Sequence, residues 1–117
     1  MRHGRLHRAD DQSCLVPMAS RTSNVLERMR GLLGRPQLNE DEGLIINPCS
    51  SIHTAGMRYP IDLVFLDRNW IIIKTVTALK PWRMAACPAA SMVLELPTGS
   101  GGRLRLETGL QLVWHGE

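Results

Sequence analysis

The chain has 117 residues and 13.1 kDa, 44% hydrophobic and 21% charged, which is enough for one folded domain and too little for two cores. That balance excludes intrinsic disorder, and apolar runs of four residues (Leu63–Leu66, Trp70–Ile73) exclude a spanning helix, which needs roughly 20. The formal charge of +3 is uneven: residues 1–35 hold seven arginines against Asp10, Asp11 and Glu27, and the remainder is slightly acidic.

In chain order, residues 1–12 read as a mobile basic arm with room for a short strand at Arg5–Arg8, and residues 13–117 as a single β-rich domain. The basic first third raises the question of an anionic partner. With Phe65 and Tyr59 the only aromatics besides tryptophan, no stacking platform for bases assembles, so nucleic acid is not the expected partner. Asp10, Asp11 and Gln12 interrupt the place where a signal peptide would carry its apolar core, which predicts a cytoplasmic protein. Cys14, Cys49 and Cys87 are an odd, widely spaced set without a C-x-x-C pair. A disulfide framework is therefore not expected, and the thiols read as reduced.

Cys14–Ala19 reads as a strand. Val25, Leu26, Met29, Leu32 and Leu33 then form one apolar stripe at helical spacing, which predicts an amphipathic helix over about 24–33 docked on a sheet. Asn24 and Glu27 form a capping pair at its start, Gly34 supplies the left-handed end, and Pro36 prevents resumption. The rest reads as strands and turns: Leu44–Ile46, a hairpin of Ile61–Leu66 with Trp70–Leu79, then alternating segments over 91–96, 103–107 and 110–114. Thr98–Gly102 reads as a flexible connection, because no Gly-Lys-Ser/Thr or following helix makes it a nucleotide loop. The fold class is mainly β, a β-rich α+β domain: a compact β-barrel or sandwich of short strands with one helix packed against it.

The order of motifs now becomes recognisable. Gly31-Leu-Leu-Gly-Arg35 precedes Glu42-Gly43-Leu44. The long run from His53-Thr54-Ala55-Gly56-Met57 through Pro60-Ile61-Asp62 to Asp67 follows, then Pro81-Trp82-Arg83 and Val93–Gly99. Together these resemble the prokaryotic family called domain of unknown function 192, in its His-Thr-x-x-Met variant, from about Ser20 to Val113. The resemblance implies a compact β-barrel or sandwich with one helix and no established activity. It departs at Gly109-Leu110, where the family carries Gly-Asp.

Chemistry-bearing residues gather around this signature. His53, Thr54, Met57, Asp62, Arg83 and Glu95 are the candidate ligand-binding set. Asp62, flanked by Ile61 and Leu63, needs a partner if half-buried, and a bidentate pairing with Arg83 would supply one. Cys49 and Cys87 sit beside prolines in loops flanking the signature, where proximity would permit a reactive thiol. Pro48, Ile52 and Thr54 argue that Cys49–His53 is extended, and four residues of strand span about 13 Å. One zinc could therefore use both only across a turn and with a further ligand, Cys87 or His115.

No nucleophile elbow or complete catalytic set accompanies these groups. The expected function is a small non-enzymatic binding or accessory module with a polar cleft, needing no cofactor and taking a small molecule or protein partner. The alternative is a thiol- or metal-dependent enzyme, with zinc as its metal, built on Cys49, His53 and Cys87.

Overall fold

A computed structural model describes residues 1–117. Nine strands and two short helices follow in chain order: β1 (Arg2–Arg8), β2 (Cys14–Arg21), α1 (Val25–Arg30), β3 (Glu42–Ile46), β4 (Ser51–His53), β5 (Ile61–Leu66), β6 (Ile72–Leu79), β7 (Met84–Ala86), β8 (Met92–Pro97), α2 (Ser100–Arg103) and β9 (Leu112–Gly116). Seven strands form one sheet in the order β6-β5-β8-β3-β2-β1-β9, and β4 with β7 forms a separate ribbon. The mainly β architecture is as expected.

The large sheet is open but rolled. Its edges meet at a single bridge, Ile71 to Gln111, helped by backbone bonds from Ile72 to Leu110 and from Leu112 to Trp70. Arg21, at the end of β2, lies 5.3 Å from the ring centroids of both Trp70 and Trp114, so one guanidinium joins the two margins by cation–π contact. No helix is long and apolar enough to cross a membrane.

Two cores lie on opposite faces of the same strands. Side chains alternate along a strand, so Val64 and Leu66 of β5 and Leu94 and Leu96 of β8 enter one cluster, with Leu6, Val16, Ile45 and Leu112. Leu63 and Phe65 of β5 and Val93 of β8 enter the other, with Leu44, Ile46, Ile52 and Met57. Every residue of β5 and β8 is buried. Burial on both faces explains why these strands read as near-continuous apolar runs rather than strict alternation.

The second face is covered by the crossover from β2 to β3. These strands are parallel, so the chain between them must pass over the sheet. That crossover contains α1. Asn24 caps it, accepting a hydrogen bond from the Glu27 amide at 2.9 Å, while the Glu27 carboxylate accepts from Ser23 at 2.7 Å.

Four expectations need correction. Residues 1–12 are not an arm: β1 is paired on both sides, with β2 and β9. The short strand expected at Arg5–Arg8 lies within β1, whose single large apolar residue, Leu6, offers no alternation from which the full strand could be read. The helix ends at Gly31, φ +53°, whose amide donates to the Glu27 carbonyl, three residues before the predicted stop. Its stripe is largely in solvent: Leu26 is 77% exposed, Met29 74% and Val25 57%, and Leu32 alone is buried. Six residues make under two turns, so only the turn after the helix reaches the core. Finally, residues 100–107 contain α2 and turns instead of a loose connection and a strand. This turn packs on β5 through a hydrogen bond from the Gly101 amide to the Asp62 carboxylate at 2.9 Å.

Candidate functional site

The His53–Met57 signature is organised by one hydroxyl. Thr54 is fully buried, and its Oγ1 donates to the Lys80 carbonyl at 2.7 Å and accepts from the Arg83 amide at 2.8 Å. Its own amide donates to the Arg83 carbonyl at 2.8 Å, and its carbonyl accepts from Trp82 and Met57. Thr54 thus ties the end of β4 to the loop entering β7. The segment is extended, as its β-branched residues predict: Ile52 pairs with Ala85 and His53 with Met84. Ile52 and Met57 consequently turn inward onto the sheet.

Opposite this ribbon runs the turn after α1. Gly31 has positive φ and packs directly over β8 and β3: a Cβ there would stand 3.1 Å from Glu95 Oε1 and 3.4 Å from Ile46. Glycine is needed both for the backbone conformation and for this approach. Arg35 Nε donates to the Gly31 carbonyl at 2.9 Å, and the Tyr59 hydroxyl donates to the Arg35 carbonyl at 3.3 Å, which holds the turn against the signature loop.

Between turn and ribbon lies a cleft of about 140 Å³. Leu32, Ile46, Ile52, Met57 and Ile61 form apolar walls, and Cys49, His53, Thr54 and Glu95 contribute polar groups. Arg28, half-buried, and Arg30, exposed, also line the cleft from α1, on its more solvent-accessible side. The volume resembles that of engineered apolar cavities that admit a benzene-sized molecule.

Glu95 is the unusual member. It sits mid-strand on β8, 3% exposed, and its buried Oε1 has no hydrogen-bond partner. It takes part in no salt bridge. Burial pushes its pKa up from 4.5 to about 7, because an unpartnered carboxylate is costly to charge away from water. The same environment holds the Cys49 thiol above its ordinary value. Burial is the main cause, and the neighbouring Glu95 charge adds to it, against a lowering by the Ser51 backbone and by the Arg28 charge. A thiol pushed that way is not an activated nucleophile.

The structure brings together His53, Thr54, Met57, Glu95 and Cys49 of the residues marked in the sequence. It does not bring Asp62 or Arg83 to the cleft. Asp62 faces the other side of the sheet and accepts from the Ala78 amide at 2.8 Å and the Gly101 amide at 2.9 Å. Arg83 is exposed, and its guanidinium donates to the Trp82 carbonyl at 3.3 Å, so the expected Asp62–Arg83 pair does not form. Two backbone amides outcompete a surface arginine because they are already desolvated and fixed. Cys87 packs at the margin of the second core and is not part of the cleft wall. No group of three His, Cys, Asp or Glu side chains is placed to hold a metal ion.

Sequence reasoning missed Gly31, Leu32, Ile46, Arg28 and Arg30. Two glycines within four residues, Gly31 and Gly34, are the signal that a close turn follows the helix.

The family model of DUF192, described as an uncharacterised conserved family (Uncharacterized ACR), matches residues 7–114. A UPF0127 protein of Pyrococcus horikoshii is 38% identical over 66 residues, 56% of this chain and 56% of that protein. One from Pyrococcus furiosus is 36% identical over 67 residues, 56% of this chain and 57% of that protein. The chain thus spans a little over half the length of these relatives. A crystal structure of a Novosphingobium aromaticivorans protein of unknown function superposes with a TM-score of 0.76 at 21% identity, over 96% of this chain and 85% of that one. Another, from Sinorhizobium meliloti and described as a candidate transcription regulator, gives 0.81 at 21% identity, over 97% and 92%. Both share the fold.

Proposed function

We propose, from the premise that this chain belongs to the DUF192 family, whose activity is uncharacterised, that it is a non-catalytic binding module whose cleft beneath α1 takes a small ligand. One observation carries this reading: Glu95, 3% exposed, has a buried carboxyl oxygen without a partner at the wall of a small cleft lined by both apolar and polar side chains. Buried polar atoms are almost always hydrogen-bonded, and the exceptions cluster where a ligand or ordered water completes the set. Apolar walls with few convergent polar groups are the usual make-up of a small-molecule site.

Geometry disfavours the thiol or metal enzyme. Cys87 stands outside the cleft wall, and the Cys49 thiol donates to the Ser51 carbonyl at 3.2 Å while burial holds its proton. The binding reading invokes no cofactor. It goes with the cytoplasmic location expected from the sequence, where thiols stay reduced.

Chemical-shift mapping with a small-fragment set tests the proposal. Perturbations centred on Gly31, Leu32, Ile52, Met57 and Glu95 are expected. Shifts confined to other faces of the sheet, or none with any fragment, contradict it.

A further inference from the structure

Resting on the binding reading above, we propose that the ligand is a small zwitterion. A primary ammonium group lodges against Glu95, a short apolar stem runs along Ile46, Ile52 and Met57, and an acid group lies outermost beside Arg28 and Arg30.

The order of groups follows from what each region of the cleft offers. Glu95 has a buried oxygen without a donor, and nothing else lining the cleft is acidic. An anion driven inward would meet a carboxyl in a desolvated site, where like charges repel strongly. A compact ammonium carries three donors and gives the charge-assisted bond that best offsets burial of a carboxylate. A planar guanidinium fills more of a cleft of about 140 Å³ and leaves less room for a stem. Along the middle, Ile46, Ile52 and Met57 are 2%, 9% and 9% exposed and present only apolar surface, suited to methylene groups.

The mouth has the opposite character. Arg28 forms no salt bridge, and Arg30 uses only its Nε, donating to the Leu33 carbonyl at 3.1 Å. The one acid of the helix, Glu27, is occupied by the Ser23 amide and the chain's first amino group. Two guanidinium groups without a carboxylate partner therefore flank the opening, and a carboxylate there is favoured over a second cation. A plain amine satisfies the floor alone, whereas an amine with a terminal acid satisfies both ends.

Titration of the whole protein with δ-aminovalerate, n-pentylammonium, valerate and n-pentanol, followed by amide shifts, tests this. Binding is expected in the order δ-aminovalerate, then n-pentylammonium, with valerate and n-pentanol weakest. Glu95→Gln, whose fold is checked by an unchanged amide spectrum outside the cleft, should weaken δ-aminovalerate by about tenfold or more. The double change Arg28→Gln with Arg30→Gln, at one half-buried and one exposed position, should bring δ-aminovalerate down to the level of n-pentylammonium. Valerate or n-pentanol binding in the cleft as tightly as δ-aminovalerate would overturn the zwitterion while leaving the binding module standing. Binding of δ-aminovalerate undiminished by Glu95→Gln would overturn it too. Absence of shifts with all four probes overturns this inference, and the fragment map then decides the broader reading separately.

Discussion

Asp62 and Glu95 are acids on adjacent strands of one sheet, 1% and 3% exposed, and they live in opposite circumstances. Asp62 is opposite Leu96 and Glu95 is opposite Leu63, so the register sends them to opposite faces. On its face Asp62 accepts two backbone amides. One belongs to Ala78, at the register shift between β5 and β6, and the other to Gly101 in α2. A bulge frees an amide from the ladder, and the carboxylate replaces the lost partner. Glu95 looks out on the other face, under Gly31, and receives nothing from the protein. Equal burial therefore does not mean equal role. The first acid completes the fold, and the second has a buried oxygen that no group of the chain satisfies.

Removing Asp62 should produce the largest effect. Asp62→Ala leaves two buried amides without acceptors, at about 2 kcal/mol each, and should lower unfolding free energy by about 4 kcal/mol in urea melts. A loss below about 1 kcal/mol would erase the contrast with Glu95. The opposite sign is expected at the second acid. Its folded pKa, about 7, lies above the ordinary 4.5. The folded state thus holds the proton more tightly than the unfolded chain does. This contribution is fully present below about pH 4.5, declines as pH rises, and levels off at its least favourable above about 7. At about 1.4 kcal/mol per unit, Glu95→Gln should be nearly neutral at low pH and stabilising by about 3 kcal/mol above pH 8. Melts at two pH values check it.

Smaller effects sharpen the same contrast around the cleft. Thr54→Val keeps the volume but removes the hydroxyl between Lys80 and Arg83, and should cost about 2 kcal/mol in thermal or urea unfolding. Leu26→Glu should change stability by less than about 0.5 kcal/mol, because this stripe residue is 77% exposed. A large loss there would mean that α1 packs as its periodicity suggests.

The legible parts of the sequence were those governed by local patterning. The hairpin of β5 and β6, the extended signature strand and the Asn24 cap follow from alternation, β-branching and side-chain chemistry, and all three are present. Non-local decisions were hidden. Nothing in Arg2–Arg8 announces that it will be gripped between β2 and β9, since Leu6 is its only large apolar residue. The periodicity of Val25, Leu26, Met29 and Leu33 is genuine, but a six-residue helix on a crossover chooses its docked side by the Gly31 turn. At the site, Glu95 and the His53–Met57 motif could be marked as polar groups among strands. Which face Asp62 and Arg83 occupy depended on a register that composition does not encode.

The central claim is that Glu95 is a buried acid with no partner in its own chain. Its side-chain carbonyl carbon, labelled and followed by NMR from acid to alkaline pH in the ligand-free protein, reports this directly. A titration centred near 7 is the expected result. A midpoint at or below 4.5 would show the carboxylate to be hydrated or paired, and the site would lose its basis.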